Sequence, residues 1–294
     1  MQYVRSLLFV PGHQERMLQK AFAVQADGVI IDLEDAVPTS DKELAREAAG
    51  RWLAESHTRD SQLYRLVRVS SLDPEVFALD LDEVLVPGLD ALCLPKVQTA
   101  DEVQRLEWIV SEQEAQSGVE LGSVGFLVII ETALGLVNAP AIAAASNRLV
   151  GMMFGGEDFS SDIGLPLHRE REAREMLYAR SALAIAAASV HVPAVDTVWV
   201  DYQDPDGLRE ETELARRLGF SAKTAIHPGQ IDTINAVFSP DAEELEQARG
   251  VMAAVEAGGD GAIEHDGAMI DAPIVERARR ALALADANER RERR

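Results

Sequence analysis

Eight short apolar runs recur along the chain, and stretches with helical spacing lie between them. The runs are Val4–Val10, Val29–Ile31, Leu63–Val69, Ala91–Leu94, Val124–Ile130, Leu149–Phe154, Val195–Val200 and Ala222–Ile226. Several are continuously apolar rather than alternating, the pattern of parallel strands buried on both faces. Gln14–Ala26, Asp41–Ala54, Asp101–Gln116, Arg169–Ala188 and Pro205–Leu218 read as the clearest helices. In the third of these, Val103, Leu106, Ile109 and Val110 share one face with acids opposite, and Thr99 is placed to cap its start. Gly28 and Gly219 each follow a helical stretch and precede an apolar run, where a C-cap glycine would sit. Eight strand–helix units predict an α/β fold closed as a (β/α)8 TIM barrel. A doubly wound open sheet is the alternative that the same pattern allows.

More than sixty residues follow the eighth run. Asp241–Glu256 and Pro273–Ala287 have helical patterns, and Gly258–Gly267, rich in Gly and Asp, reads as a loop. The expected division is a barrel over residues 1–238 and a C-terminal helical extension over 239–294. That extension exceeds what eight units need, so it would cover the barrel mouth or reach a neighbouring subunit. Arg290–Arg294 reads as a frayed basic end.

Composition narrows the function classes. The chain has 294 residues, within the range of one barrel domain. It carries 28 Lys plus Arg against 50 Asp plus Glu, a net charge of −22, which argues against general nucleic-acid binding. Cys93 is the only cysteine, which excludes an intrachain disulfide and a Cys-based zinc site. It sits in an apolar run and reads as a buried small hydrophobe. The start of the chain lacks a signal-peptide pattern. The alanine-rich Ala182–Ala188 run is too short to span a bilayer. A soluble cytoplasmic protein with no membrane partner is expected.

Ligand and catalytic groups of such barrels lie where strands end and the following loops begin. The runs lead, in order, into Pro11-Gly12-His13, Asp32-Leu33-Glu34-Asp35, Arg68, Pro95-Lys96, Glu131-Thr132, Gly155-Gly156-Glu157-Asp158, Asp201 and His227-Pro228. Charged or metal-competent groups at nearly every strand end make a constellation. Burying so many charges costs several kcal/mol each unless they pair or hold a ligand. Glu131 and Asp158 end adjacent strands, and two carboxylates without nearby His or Cys suit a hard cation such as Mg2+. Arg68 could hold a carboxylate bidentately or neutralise the Asp32/Glu34/Asp35 cluster, and both roles are compatible. Lys96 could form a Schiff base with a ketone or stand as an ion-paired cation, which the acid-rich mouth favours. Asp271, followed by Ala272-Pro273, looks locally like a helix N-cap. His191 reads as structural, and His13 is placed to touch a ligand.

The motifs Arg5–Gly12, Ile31–Val37, Ile130–Ala133 with Gly155–Asp158, Lys223–Gln230 and Met269–Asp271 resemble those of the citrate lyase β-subunit-like acyl-CoA lyases of the HpcH/HpaI superfamily. The match runs from Arg5 to about Ala281. The resemblance implies a barrel that assembles as a homotrimer or hexamer, with Mg2+ on Glu131 and Asp158. It implies that Arg68 holds an oxo-acid carboxylate, and that Glu131, Glu157 and Pro228 also contact substrate. Phe9 and Lys20 match positions that touch the CoA thioester, and Asp271 matches a catalytic acid supplied by the adjacent subunit. Two positions depart from the pattern: Ser70 stands where Asn is usual, and Gln14 stands where an Arg binds CoA. The expected activity is a reversible Claisen-type cleavage of a carboxylated 3-hydroxyacyl-CoA, of malyl-CoA or citramalyl-CoA type, to acetyl-CoA and a small 2-oxoacid. The alternatives are a citryl lyase subunit that needs an acyl carrier protein, and a CoA-independent metal-dependent 2-oxoacid aldolase.

Overall fold

The computed structural model describes residues 1, 3–59, 62–166, 173–258, 263–265 and 268–292. Two compact units divide the chain, Met1–Asn235 and Ala236–Arg294. In the first, the strands are β1 (Ser6–Pro11), β2 (Gly28–Asp32), β3 (Tyr64–Arg68), β4 (Ala91–Leu94), β5 (Gly125–Ile130), β6 (Leu149–Phe154), β7 (Ala194–Asp196) and β8 (Ala222–Ala225). Each pairs in parallel with the next, and β8 pairs with β1, so the sheet closes into a barrel. The open-sheet alternative is thereby excluded. The helices of this unit are α1 (Glu15–Ala21), α2 (Lys42–Arg59), α3 (Pro74–Val84), α4 (Ala100–Ser117), α5 (Ala133–Val137), α6 (Ala139–Ala143), α7 (Gly156–Asp162), α8 (Leu177–Ser189) and α9 (Pro205–Arg217), and α10 (Ile231–Phe238) runs across the division between the units.

Strand side chains alternate between faces, and this alternation builds both core and site. Leu7, Ile30, Leu66, Cys93, Ile129, Met153, Val195 and Ala222 fill one buried cluster. Two residues further along seven of these eight runs, at or just past the strand ends, stand Phe9, Asp32, Arg68, Glu131, Gly155, Thr197 and Thr224, all lining one cavity. The core thus aims the cavity lining. Cys93 is fully buried, as its apolar surroundings predict.

Local sequence explains several element ends. Thr99 caps α4 through a reciprocal capping box with Glu102. Gly219, at φ +98°, follows α9 in the left-handed conformation expected of a C-cap glycine. Gly28 departs from that expectation because it lies inside β2. A Cβ there would approach the Tyr64 carbonyl oxygen to 2.8 Å, so close strand packing demands the glycine. Helix α1 stops at Ala21, short of the expected Ala26, in a turn where Ala23 N–H donates to the Lys20 carbonyl. The helix expected over Arg169–Ala188 begins only at Leu177, after a 3-10 turn at Arg174–Met176; residues 169–172 lie outside the described residues. The seventh run is strand only to Asp196. Beyond it the chain bends, held by Gln230 Nε2 donating to the Trp199 carbonyl at 2.8 Å.

A charged cluster locks β7 and β8 to the helices around them. Lys223 Nζ donates to Asp196 Oδ2 at 2.7 Å and Glu211 Oε2 at 2.8 Å. Arg180 Nε donates to Asp196 Oδ1 at 3.0 Å. All four residues are fully buried. Burial opposes ionisation of Asp196, but Lys223 and Arg180 outweigh it and hold the carboxyl below its usual range. Breaking such a cluster by removing one partner leaves a buried charge uncompensated. Lys223→Met is therefore expected to cost about 3–5 kcal/mol of stability, read from the urea midpoint. A loss below about 1 kcal/mol would place this cluster with weak surface pairs.

In the second unit, α11 (Ala242–Gly258) packs against α12 (Ala272–Glu292), and β9 (Ile263–His265) pairs antiparallel with β10 (Ala268–Ile270). The hairpin corrects the loop expected over Gly258–Gly267, of which 259–262 and 266–267 lie outside the described residues. The sequence signal for it is Asp266-Gly267, a dipeptide favoured in two-residue hairpin turns. The basic end is likewise not frayed as far as Glu292, where α12 stops; residues 293–294 lie outside the described residues. Among the described residues no helix is long and apolar enough to cross a membrane.

Candidate active site

The cavity at the C-terminal ends of the barrel strands has a volume of about 400 Å³. Asp32, at the end of β2, is 1% exposed. It accepts two backbone bonds, from Glu34 N–H at 2.9 Å and Ala36 N–H at 3.1 Å. It also takes both arms of Arg68, through Nε and Nη2 at 2.7 Å each. Burial works to raise the Asp32 pKa, but the Arg68 guanidinium beside it holds the carboxyl below the usual range. Arg68 Nη1 also lies 3.0 Å from Glu34 Oε2, and its guanidinium carbon sits 5.0 Å from the Phe9 ring centroid. Of the five guanidinium N–H donors, two are hydrogen-bonded to Asp32, while Nη1 pairs with Glu34 Oε2 by charge and without a hydrogen bond. The structural pairing read from the sequence therefore holds, and the guanidinium keeps N–H donors for a ligand.

Glu131, the residue after β5, is 2% exposed. Its Oε1 accepts the Lys96 backbone N–H at 2.7 Å. Lys96 reaches that position with φ +52°, a left-handed conformation uncommon outside glycine. Gly155, after β6, backs onto the other carboxylate oxygen: a Cβ there would lie 2.4 Å from Glu131 Oε2, so only glycine allows this approach. Gly156 N–H donates to Thr197 Oγ1 at 2.9 Å and starts α7, whose first turn carries Glu157 and Asp158. Both line the cavity.

Lys96 extends its ammonium among the acids. Nζ donates to Glu34 Oε1 at 2.6 Å and stands 3.6 Å from Asp35 and 3.8 Å from Asp158. Burial acts to lower its pKa, but Glu34, Asp158 and Asp35 raise it above the usual lysine value. A lysine so held stays protonated and is a poor Schiff-base nucleophile, so the ion-paired reading stands. Five carboxylates, Asp32, Glu34, Asp35, Glu131 and Asp158, thus gather around Arg68 and Lys96. The imbalance falls on Glu131: burial, then Glu34 and Asp158, push its carboxyl up to about 8.

This arrangement fits a divalent cation. Glu131 and Asp158 interact across the cavity, and the crowding of negative charge is what a cation between them would relieve. Among the described residues no three His, Cys, Asp or Glu side chains converge as a closed metal cage. A pair of carboxylates suits Mg2+, which takes few protein ligands and leaves positions for water and substrate oxygens.

The other sequence candidates divide between the cavity and the surface. Phe9 lines the cavity, beneath Arg68. Lys20 is exposed on α1, and Pro228 is exposed in a short turn after β8; neither lines the cavity. Asp201, expected at a strand end, is exposed and accepts the Gln203 N–H at 3.0 Å, because β7 has already ended at Asp196. His13 bonds Gln14 at 2.7 Å, His191 sits in a left-handed turn closing α8, and His227 stacks on Tyr202. Asp271 lies in the second unit, exposed, and its Oδ1 accepts the Ile274 N–H at 3.2 Å as an N-cap of α12. Thr197 and Thr224 were missed as cavity residues. Their only signal was their step of two from Val195 and Ala222, which needs the correct end of β7.

Comparison with known proteins agrees with this geometry. The model of the HpcH/HpaI aldolase/citrate lyase family matches residues 5–228. The citrate lyase subunit beta of Leuconostoc mesenteroides subsp. cremoris is 37% identical over 287 residues, covering 97% of this chain and 94% of the relative. A (3S)-malyl-CoA thioesterase of Cereibacter sphaeroides is 36% identical over 288 residues, covering 96% of this chain and 95% of that protein. Among solved structures, CitE from Mycobacterium tuberculosis, in complex with magnesium, acetoacetate and coenzyme A, superposes with a TM-score of 0.76 at 31% identity, covering 97% of this chain and 100% of its own. Barrel, cavity and relatives converge: the chain belongs to the HpcH/HpaI aldolase/citrate lyase family and is an enzyme of the carbon–carbon lyase class.

Proposed function

We propose that this enzyme is a Mg2+-dependent lyase that reversibly cleaves a carboxylated 3-hydroxyacyl-CoA, of malyl-CoA or citramalyl-CoA type, to acetyl-CoA and a 2-oxoacid. The observation that carries the reading is the placement of buried Glu131 with Asp158 and Arg68 around one cavity at the barrel mouth, where burial and the neighbouring acids raise the Glu131 carboxyl. Glu131 and Asp158 would hold the ion, which when bound supplies Lewis-acid polarisation of the oxo-acid oxygens. The N–H groups of Arg68 that Asp32 leaves unused orient the oxo-acid carboxylate, with Asp32 and Glu34 fixing the guanidinium. Phe9 shields the ion pair from one side. In the condensing direction a base removes a proton from the methyl carbon of the acetyl thioester. In cleavage the same group returns it. Asp271 of an adjacent copy in a trimer or hexamer is assigned that role. Glu157, at the rim, is assigned a substrate contact, and Lys20 and Pro228 are assigned contacts further out along the thioester.

The relationship to citrate lyase β subunits favours a second reading, in which the acyl group arrives on a carrier protein. Gln14, in place of a CoA-binding Arg, points the same way. Purified enzyme incubated with acetyl-CoA, Mg2+ and glyoxylate, pyruvate or oxaloacetate distinguishes the two by mass spectrometry. Formation of malyl-, citramalyl- or citryl-CoA that stops with EDTA is the expected result, and release of free CoA would reveal thioester hydrolysis after condensation. No product from folded protein, with activity recovered on an acetylated carrier, would transfer the assignment to the carrier-dependent reading.

A further inference from the structure

Lys42 stands where helix formation alone would not put it. It opens α2, and a cation in the first turn of a helix meets the positive end of the helix dipole. Its side chain turns instead to the loop after β2. The Nζ group donates to the Leu33 carbonyl and, at 2.6 Å, to the Glu34 carbonyl. These carbonyls belong to the loop that carries Glu34 and Asp35 to the barrel mouth. In a planar trans peptide the C=O and the following N–H point in opposite directions. The peptide joining Leu33 to Glu34 therefore has Lys42 on one side. On the other, its Glu34 N–H donates to Asp32 Oδ1 at 2.9 Å. Asp32 Oδ1 in turn accepts from Arg68 Nε at 2.7 Å. The Leu33 N–H adds a second tie, donating to the Arg68 carbonyl at 2.9 Å. Ammonium, amide, carboxylate and guanidinium thus form one chain in which each hydrogen bond polarises the next. The loop needs such a hold. It carries Glu34 to a place where the residue is buried and its Oε2 has no hydrogen-bond partner among the described residues. That placement costs free energy, and an unclamped loop would relax away from it.

We infer that Lys42 is a positioning residue for Arg68, acting through the 33–34 peptide and Asp32. The inference rests on the proposed lyase reading and deepens it by naming what fixes the oxo-acid end of the site. Without the ammonium, the 33–34 peptide is free to turn its carbonyl towards Asp32. Asp32 then loses an N–H donor and faces a carbonyl oxygen, and Arg68 loses the orientation of its anchor. Glu131 and Asp158 stand on other elements, after β5 and in α7. Binding of the ion should therefore separate from binding of the oxo-acid.

Calorimetric titration tests that separation without turnover. Mg2+ is titrated alone, and then pyruvate and glyoxylate are titrated in its presence. Lys42→Met keeps most of the stem and loses the charge. It is expected to bind the preferred oxo-acid about 10–100-fold more weakly than the parent, the scale of a misplaced binding group. Its Mg2+ affinity should stay within about twofold. Lys42→Arg, which has donors for both carbonyls, is expected to recover part of the loss. If Lys42→Met does not fold, Lys42→Gln, which keeps a neutral donor, carries the same comparison. Unchanged oxo-acid affinity in the uncharged variant overturns the role of Lys42 and leaves the lyase reading intact. Equal loss of Mg2+ and oxo-acid binding, with a lowered melting temperature, makes Lys42 a general structural residue and overturns the proposal. Failure of both oxo-acids to bind the unmodified enzyme with Mg2+ overturns the lyase reading, and the positioning role with it.

Discussion

Glu131→Gln is expected to abolish Mg2+-dependent turnover and, at the same time, to raise the thermal stability of the metal-free enzyme. Both effects follow from one carboxyl. In the fold its pKa is about 8, against an ordinary value of 4.5, because it is buried beside Glu34 and Asp158. The native state therefore keeps a proton that the unfolded chain releases. Stability from this group is complete below pH 4.5 and is lost as the pH rises through the folded value near 8. Glutamine has the same shape and no charge, so the metal-free variant should escape that loss and melt several degrees higher at pH 8. The same proton competes with the ion. In the unmodified enzyme the apparent Mg2+ affinity should rise with pH up to about 8, by as much as about tenfold per unit, and then level off. Calorimetry across pH 6–9 and paired melting curves with and without Mg2+ check these signs. A variant that retains EDTA-sensitive activity, or that melts lower than the parent without metal, would remove Glu131 from the metal site. Trading stability for a charged, ligand-ready cluster is a common cost of catalytic sites.

Asp271→Asn should lower kcat by about 10²–10⁴-fold, the usual contribution of a positioned acid/base, and leave Mg2+ affinity unchanged. Asparagine caps helices as well as aspartate does. The N-cap bond to Ile274 and the start of α12 should therefore survive, and loss of activity would report the lost proton transfer rather than a damaged helix. If the residue acts across a subunit boundary, two inactive chains can complement each other. Coexpressed Asp271→Asn and Glu131→Gln chains would form some sites with an intact Glu131 from one copy and an intact Asp271 from the other. Recovery of a sizeable fraction of turnover in the mixed oligomer is the expected outcome. Near-parental activity in Asp271→Asn alone would return that residue to a purely structural cap. Inactivity of the mixture would confine both groups to one chain.

The strand-end rule carried the reading of the site a long way. Asp32, Arg68, Glu131 and Asp158 could be picked out because each follows an apolar run, and buried strands of parallel sheets announce themselves by continuous hydrophobicity. The rule failed at the seventh run, where Val198, Trp199 and Val200 remain apolar after the strand has ended at Asp196. Of these, Trp199 serves loop packing: it is buried, and its indole N–H donates to the Asp204 carbonyl at 3.1 Å. Thr197 was hidden by that extension and Asp201 was wrongly promoted by it. In the tail, Gly and Asp content pointed to a loop, whereas the short segments on either side of Asp266-Gly267 pair as β9 and β10. Hairpins of three residues a side carry too few positions for alternation to be legible.

Patterning along the chain was enough to dictate the eightfold alternation of parallel strands and helices and the set of carboxylates at the strand ends, because these depend on hydrophobic period and on the residue at each strand end; closure of the sheet was decided by β8 pairing with β1. Patterning could not dictate which charges meet. Arg68 spends two donors on Asp32 and pairs with Glu34, Lys96 bends into a left-handed turn to give its N–H to Glu131, and Gly155 leaves no room for a side chain behind that carboxylate. Those contacts join β2, β3, β4, β5 and β6 at one end of the barrel. The pKa of a buried acid is set by charges brought close in space and by the water excluded around it, and both are created only when the barrel closes.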